Sequence, residues 1–195
     1  DAETGICYLT GGATVAGAGT LTTVYVFDPA TNAWLTQLPD FTSVRDFHAA
    51  WVFRDAASRK LLCVAGGNNG AGMTSTQCYD FTAGAWGAEN ADIGPLPADL
   101  WGMGYAQKVH EGTTQLWVSG GIRAGVLTAQ TTYFDVVAGV WADDGNLATV
   151  PVYRTSAVTL DNEIYNVGGS IGSFSYTGLA SHHVQCLAPA DILVD

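Results

Sequence analysis

Four diglycines recur along the chain, at Gly11-Gly12, Gly66-Gly67, Gly120-Gly121 and Gly168-Gly169, and their first glycines are 55, 54 and 48 residues apart. A period of this size restricts the chain to repeated copies of one supersecondary unit, because one copy alone cannot bury its apolar face. Each diglycine closes a short apolar run: Ile6 to Thr10, Leu61 to Ala65, Gln115 to Ser119 and Glu163 to Val167. Runs of that length, rich in β-branched and aromatic residues and ended by a turn residue, predict strands.

A second landmark follows in the first three copies. An aromatic residue precedes Asp at Phe27-Asp28, Tyr79-Asp80 and Phe134-Asp135, and a tryptophan stands six residues beyond each Asp, at Trp34, Trp86 and Trp141. The intervening residues carry hairpin chemistry, clearest in Asp28-Pro29-Ala30-Thr31-Asn32. Asp opens such a turn by accepting bonds from its own following backbone, and Pro presets φ for the next position. Downstream, Leu38-Pro39, Leu96-Pro97 and Val150-Pro151 mark connections to a further apolar run. That run carries an arginine near its start at Arg45 and Arg154, and none in the middle copy. Each copy therefore reads as four strands, with the diglycine ending the second, aromatic–Asp ending the third and Trp on the fourth.

This order of landmarks resembles the kelch repeat over essentially the whole chain. The resemblance implies an all-β fold, a β-propeller built from about four four-stranded antiparallel blades set radially around a channel. The copies fall at approximately 1–40, 41–97, 98–151 and 152–195, in one propeller domain spanning 1–195. It further implies that the diglycine lets neighbouring backbones approach closely, and that the Trp packs one blade on the next. The copies are unequal. Only residues 1–5 precede the second strand of the first copy, so the first blade is expected to lack its first strand. The last copy has neither aromatic–Asp nor Trp, with a weak third strand near His183 to Cys186 and a fourth near Asp191 to Val194. About fifteen strands result. A small four-bladed ring, part of a larger ring, and a sheet completed by a strand from a neighbouring chain all fit that count.

Composition narrows the partners. With 7 basic and 18 acidic residues the formal net charge is −11, which repels nucleic acid and anionic lipid. No stretch approaches the roughly 18 consecutive apolar residues of a membrane helix, so membrane insertion is not expected. The expected partner is a protein, or copies of the same chain.

The four cysteines, Cys7, Cys63, Cys78 and Cys186, show no metal-type spacing. An even count without such spacing suits disulfides and an extracellular, secreted protein, with three connectivities open. Cys63 and Cys78 flank the second diglycine on strands expected to pair, which makes one disulfide plausible. Cys7 with Cys186 would staple first copy to last, provided that the ring closes within one chain. A start at Asp1 without an apolar leader fits a processed secreted chain or part of a longer one.

Candidate chemistry is sparse. His182-His183 would point to opposite faces of a strand, which disfavours a shared metal. Asp143-Asp144-Gly145-Asn146 reads as a solvated turn without the spacing of a calcium loop. The run from Gly66 to Gly72 lacks the Lys-Ser/Thr of a phosphate loop and reads as a flexible loop. Arg45, His48 and Arg154 are the candidates for a polar site near a channel. No catalytic set stands out, and no cofactor is expected. The function expected is a non-catalytic extracellular protein-interaction module, self-assembling through its incomplete ends. The alternative is the propeller portion of a secreted oxidase or of a carbohydrate-active or carbohydrate-binding protein.

Overall fold

The computed structural model describes residues 1–15, 18–146, 151–171 and 185–187. Within them the chain is all-β, without helices, and forms several antiparallel sheets. It divides into two compact units, Asp1–Trp101 and Gly102–Asp195.

The first unit begins with β1 (Cys7–Thr10), followed by a small hairpin of β2 (Ala13–Val15) and β3 (Ala18–Thr20) that sequence reading did not anticipate. Next come β4 (Val24–Asp28) and β5 (Ala33–Trp34), and the three-stranded sheet runs β1-β4-β5. Its β1 has β4 on one side and no strand on the other among the described residues. The second copy is complete: β6 (Ala49–Arg54), β7 (Lys60–Ala65), β8 (Thr76–Asp80) and β9 (Ala85–Trp86) in sequential order. The unit ends with β10 (Leu100–Trp101).

These two sheets stack face to face. Alternation along β1 and β4 turns Tyr8, Val24 and Val26 inward and leaves Leu9 and Tyr25 outside. Val24, Phe41, Leu62, Val64 and Tyr79 form the buried cluster between the sheets, with Tyr8, Ala50, Val52 and Trp86 packed around it. Cys63 and Cys78 stand directly opposite one another in the β7–β8 register and are joined by a disulfide. The expected pairing is therefore present.

In the second unit, β11 (Gly104–His110) and β12 (Thr113–Ser119) precede a short hairpin of β13 (Ile122–Arg123) and β14 (Val126–Leu127). With β15 (Gln130–Asp135) and β16 (Val140–Asn146), the long strands make a second complete four-stranded sheet. The last copy supplies β17 (Ser156–Leu160), β18 (Glu163–Val167) and β19 (Gln185–Leu187). The anticipated third strand near Cys186 is thus in place, pairing Tyr165 with Cys186. The expected fourth strand near Asp191 lies outside the described residues. Ala106, Trp117 and Ile164 form the core between these two sheets, flanked by Tyr133 and Ala157.

Two local expectations are corrected. Asp143-Asp144-Gly145-Asn146 is not a turn but the end of β16, where Thr132 donates to Asp143 (2.9 Å) across a register shift. Cross-strand pairing outweighed the turn preference of Asp and Gly there. The Gly66–Gly72 stretch is a hydrogen-bonded turn rather than a loose loop. Asp46 and Asn68 exchange backbone bonds of 3.0 and 2.9 Å, Gly70 donates to Asn68 Oδ1 (2.8 Å), and Met73 donates to the Gly67 carbonyl (2.9 Å).

Candidate functional site

The aromatic–Asp–Trp signature resolves into one hairpin built three times. Phe27 faces Trp34, Tyr79 faces Trp86 and Phe134 faces Trp141 in the strand registers. In each turn the Asp carboxylate accepts backbone N–H groups: Ala30 on Asp28 (2.9 Å), Thr82 and Ala83 on Asp80 (2.7 and 3.0 Å), Val137 and Ala138 on Asp135 (2.9 and 2.8 Å). Those bonds hold the carboxyls of Asp28 and Asp80 below the usual carboxylate range, with Thr31 Oγ1 the largest contributor at Asp28. The three carboxylates are spent on turn geometry.

The diglycines have an equally specific job. The second glycine of each pair donates its N–H to the segment ahead of the next copy's first long strand: Gly12 to Arg45 O (2.9 Å), Gly67 to Leu100 O (2.8 Å) and Gly121 to Val152 O (2.6 Å). A side chain on Gly11 or Gly120 would meet those same carbonyls, at 2.6 Å from Arg45 O and 2.7 Å from Val152 O. Both glycines sit at positive φ, 55° and 66°. Close approach and left-handed backbone together require glycine here. In the last copy Gly168 and Gly169 repeat the conformation, at φ 73° and 102°.

That shared bond fixes the true register of the copies and separates the two arginines. Arg45, Leu100 and Val152 are equivalent, whereas Arg154 corresponds to Phe47 and Gly102. Those three residues all have positive φ, at 55°, 51° and 66°. Neither arginine lies in a strand, because β6 begins at Ala49 and β17 at Ser156.

Arg45 is fully buried. Its guanidinium donates to Gly66 O and Ser75 O (both 2.9 Å), to Ser75 Oγ (3.1 Å) and to Ser43 O (3.3 Å), and lies 3.7 Å from Glu89. Burial lowers its pKa to about 10, against the opposing pull of Glu89, so it remains a cation at neutral pH. Phe41 lies beneath it, with the ring centroid 5.7 Å away. The donors are committed to carbonyls at the ends of β7 and β8, so Arg45 ties strands together.

His48 sits beside it. Its Nε2 is 2.8 Å from Thr10 Oγ1, its ring packs on Phe41, and its buried Nδ1 finds no partner among the described residues. Burial, with the Arg45 charge second, pulls its pKa down to about 3. The neutral ring thus links the end of β1 to the lead-in of β6. Arg154, in the second unit, is exposed, and its guanidinium carbon lies 4.8 Å from the Tyr153 ring centroid. The structure brings Arg45 and His48 together and gives Arg154 a different environment.

Among the described residues, no group of three or more His, Cys, Asp or Glu gathers to hold a metal. His182 and His183 lie outside them. Cys7 carries a free, exposed thiol; the backbone of Cys186 is described in β19 but its side chain is not, so the expected Cys7–Cys186 staple lies outside what is described.

What the motifs did not reveal is which sheet faces of the first and last copies are exposed. In the first copy, Leu9, Tyr25 and Trp34 share one face and are 58%, 37% and 63% exposed. In the last copy, Val158, Leu160 and Val167 share a face and are 54%, 59% and 39% exposed. Side chains alternate between the two sides of each strand, and the exposed side of each of these sheets carries these apolar residues. Which side would be left uncovered was not readable in the sequence.

No family model matches the chain, and no curated protein matches it. Solved structures do match in fold. One, titled "Structure of YjhT", is similar with a TM-score of 0.62 at 15% identity, over 85% of this chain and 56% of that chain. The present chain therefore spans little more than half the length of that structure, and at this identity the likeness concerns fold alone.

Proposed function

We propose that the chain is a non-catalytic, extracellular run of kelch-type β-propeller blades that binds protein, with copies of itself as its first partner. The observation that carries this reading is where the distinctive residues go. Asp28, Asp80 and Asp135 are used in turns, the diglycines in close backbone contacts, and Arg45 in carbonyl bonds. The surface left over includes exposed apolar sheet, with one edge of β1 lacking a partner strand among the described residues. Unpaired edges and apolar faces are the usual raw material of association. The Cys63–Cys78 disulfide supports an oxidising compartment.

The test is the solution mass of the purified chain across a concentration series, together with images of the particle. Mass rising with concentration, in particles showing radially arranged sheets, is the expected result. A monomer at every concentration overturns self-association, and particles without radial sheets overturn the propeller. Selective binding on a glycan array would favour the carbohydrate-binding alternative instead.

A further inference from the structure

The hydrogen-bonded turn at Gly66–Gly72 contains a pair of residues that neither the hairpins nor the core employ, Asn69-Gly70. Of the chain's asparagines, Asn69 alone precedes glycine. The pair sits at the tip of a tight hairpin. Asn68 bridges to Gly72 across the base of that tip and to Asp46 on its other side. Asn69, Gly70 and Ala71, between them, are exposed.

An asparagine side chain is an electrophile towards its own backbone. The nitrogen of the following residue attacks Cγ, and the new N–Cγ bond closes a five-membered imide. The side-chain nitrogen leaves as ammonia, taking the proton that the backbone nitrogen gives up. Water then adds to either imide carbonyl and breaks one of the two C–N bonds, leaving aspartate or isoaspartate. A side chain on the following residue hinders the approach and narrows its backbone freedom, and glycine does neither. Around Gly70 the space is open, since a Cβ there would meet nothing within 4 Å.

What opposes the reaction is Asn68. Its Oδ1 accepts the Gly70 N–H at 2.8 Å, the bond an asparagine side chain makes to backbone two residues on. The attacking nitrogen must surrender that same proton, and while the bond is made its N–H is held on Asn68. We propose that Asn69 is a site of spontaneous deamidation and isoaspartate formation, and that Asn68 sets its rate by holding the Gly70 N–H. The product carries an added carboxylate and, as isoaspartate, a longer backbone at the tip. The bonds that Asp46 and Asn68 exchange (3.0 and 2.9 Å) lie outside the altered peptide, so the sheets keep their register. Charge and shape change only on an exposed turn.

The experiment incubates the full chain at mildly alkaline pH. Modification is followed by peptide mapping with fragmentation and by isoaspartyl methyltransferase labelling. A portion unfolded in guanidinium chloride gives the unrestrained rate. In folded wild type, modification should concentrate at Asn69 and run slower than in the unfolded portion. Asn68→Ala should raise the folded-state rate about fivefold, the factor for one neutral hydrogen bond of ordinary strength. Asn68→Asp keeps an acceptor for the Gly70 N–H and should react no faster than wild type. Far-ultraviolet dichroism checks the folding of both variants, and the folded-to-unfolded comparison in wild type stands without them. Folded wild type that modifies another asparagine faster than Asn69, or modifies none, overturns the site. Reaction at Asn69 as fast in the folded as in the unfolded chain, or at the wild-type rate in folded Asn68→Ala, overturns the role of Asn68.

Discussion

The first and second copies carry the same hairpin signature and use it in different surroundings. Trp86 is half-buried, donates its indole N–H to Pro39 O (2.6 Å) and packs against Phe41 and Tyr79. Trp34 stands in the same register opposite Phe27, yet is 63% exposed. The contrast extends along the strand: Val64 is fully buried in β7, flanked by strands on both sides, while Leu9 is 58% exposed on β1, flanked on one. The lesson is that the signature specifies a hairpin and not a buried tryptophan. Burial comes from the neighbouring sheet, and the expectation that each Trp packs on another copy holds for Trp86 and not for Trp34.

The two copies differ most at the second glycine of each pair. Gly12 and Gly67 have nearly the same φ, 96° and 97°. A side chain on Gly67 would lie 2.7 Å from Asp46 O and 2.8 Å from His48 Cβ, whereas one on Gly12 meets nothing within 4 Å. The obstacle is the lead-in to β6, which has no counterpart ahead of β1 among the described residues. Gly67→Ala should therefore cost about 4 kcal/mol, strain plus clash, and Gly12→Ala about 1–2 kcal/mol, strain alone. Urea unfolding of the two variants measures the difference, and equal losses would mean that the first copy is covered after all.

Truncating the tryptophans gives the next largest contrast. Trp86→Ala removes a packed ring and a hydrogen bond and should destabilise by about 3 kcal/mol. Trp34→Ala removes an exposed ring and should change stability by less than about 1 kcal/mol. Thermal denaturation of dilute protein reads both. A large loss at Trp34 under those conditions would contradict its exposure.

The smallest effect concerns the link between the two copies at His48. Its folded-state pKa, near 3, lies below the ordinary value of 6.5. In the unfolded chain His48 takes up a proton as pH falls through 6.5, while in the folded chain it resists. The stability it confers is thus complete above about pH 6.5 and lost progressively as pH falls towards 3. Between neutrality and pH 5 the expected loss is about 2 kcal/mol. His48→Gln, which keeps a hydrogen-bonding group towards Thr10, should flatten that part of the pH profile. A slope unchanged by the substitution would assign the acid sensitivity elsewhere.

Much of this architecture was legible because it is local. The diglycines need positive φ and lie at strand ends, so they mark strand boundaries in any context. Asp28, Asp80 and Asp135 satisfy backbone donors two or three residues on, so their turns are written in contiguous residues. The Cys63–Cys78 disulfide followed from position too, since antiparallel pairing around the Gly66-Gly67 turn sets them opposite. Harder to read were the small hairpins β2–β3 and β13–β14, each too short for a periodic signal. The equivalence of Arg45 with Leu100 and Val152, rather than with Arg154, was hidden as well. It rests on a hydrogen bond from one copy to the next, and side-chain identity does not record it.

The all-β class, the repeated hairpin and the strand order within a copy are written in the sequence. Each of these depends on backbone conformations and side-chain bonds spanning a few residues. Packing between strands and sheets commits Arg45 to carbonyls, holds His48 neutral beside it and leaves certain apolar faces open. Those outcomes depend on residues far apart in the chain, such as Thr10 with His48, or Pro39 with Trp86. Side chains alternate between the two sides of each strand, and which side meets solvent is settled by packing between sheets, a long-range property that no local pattern encodes.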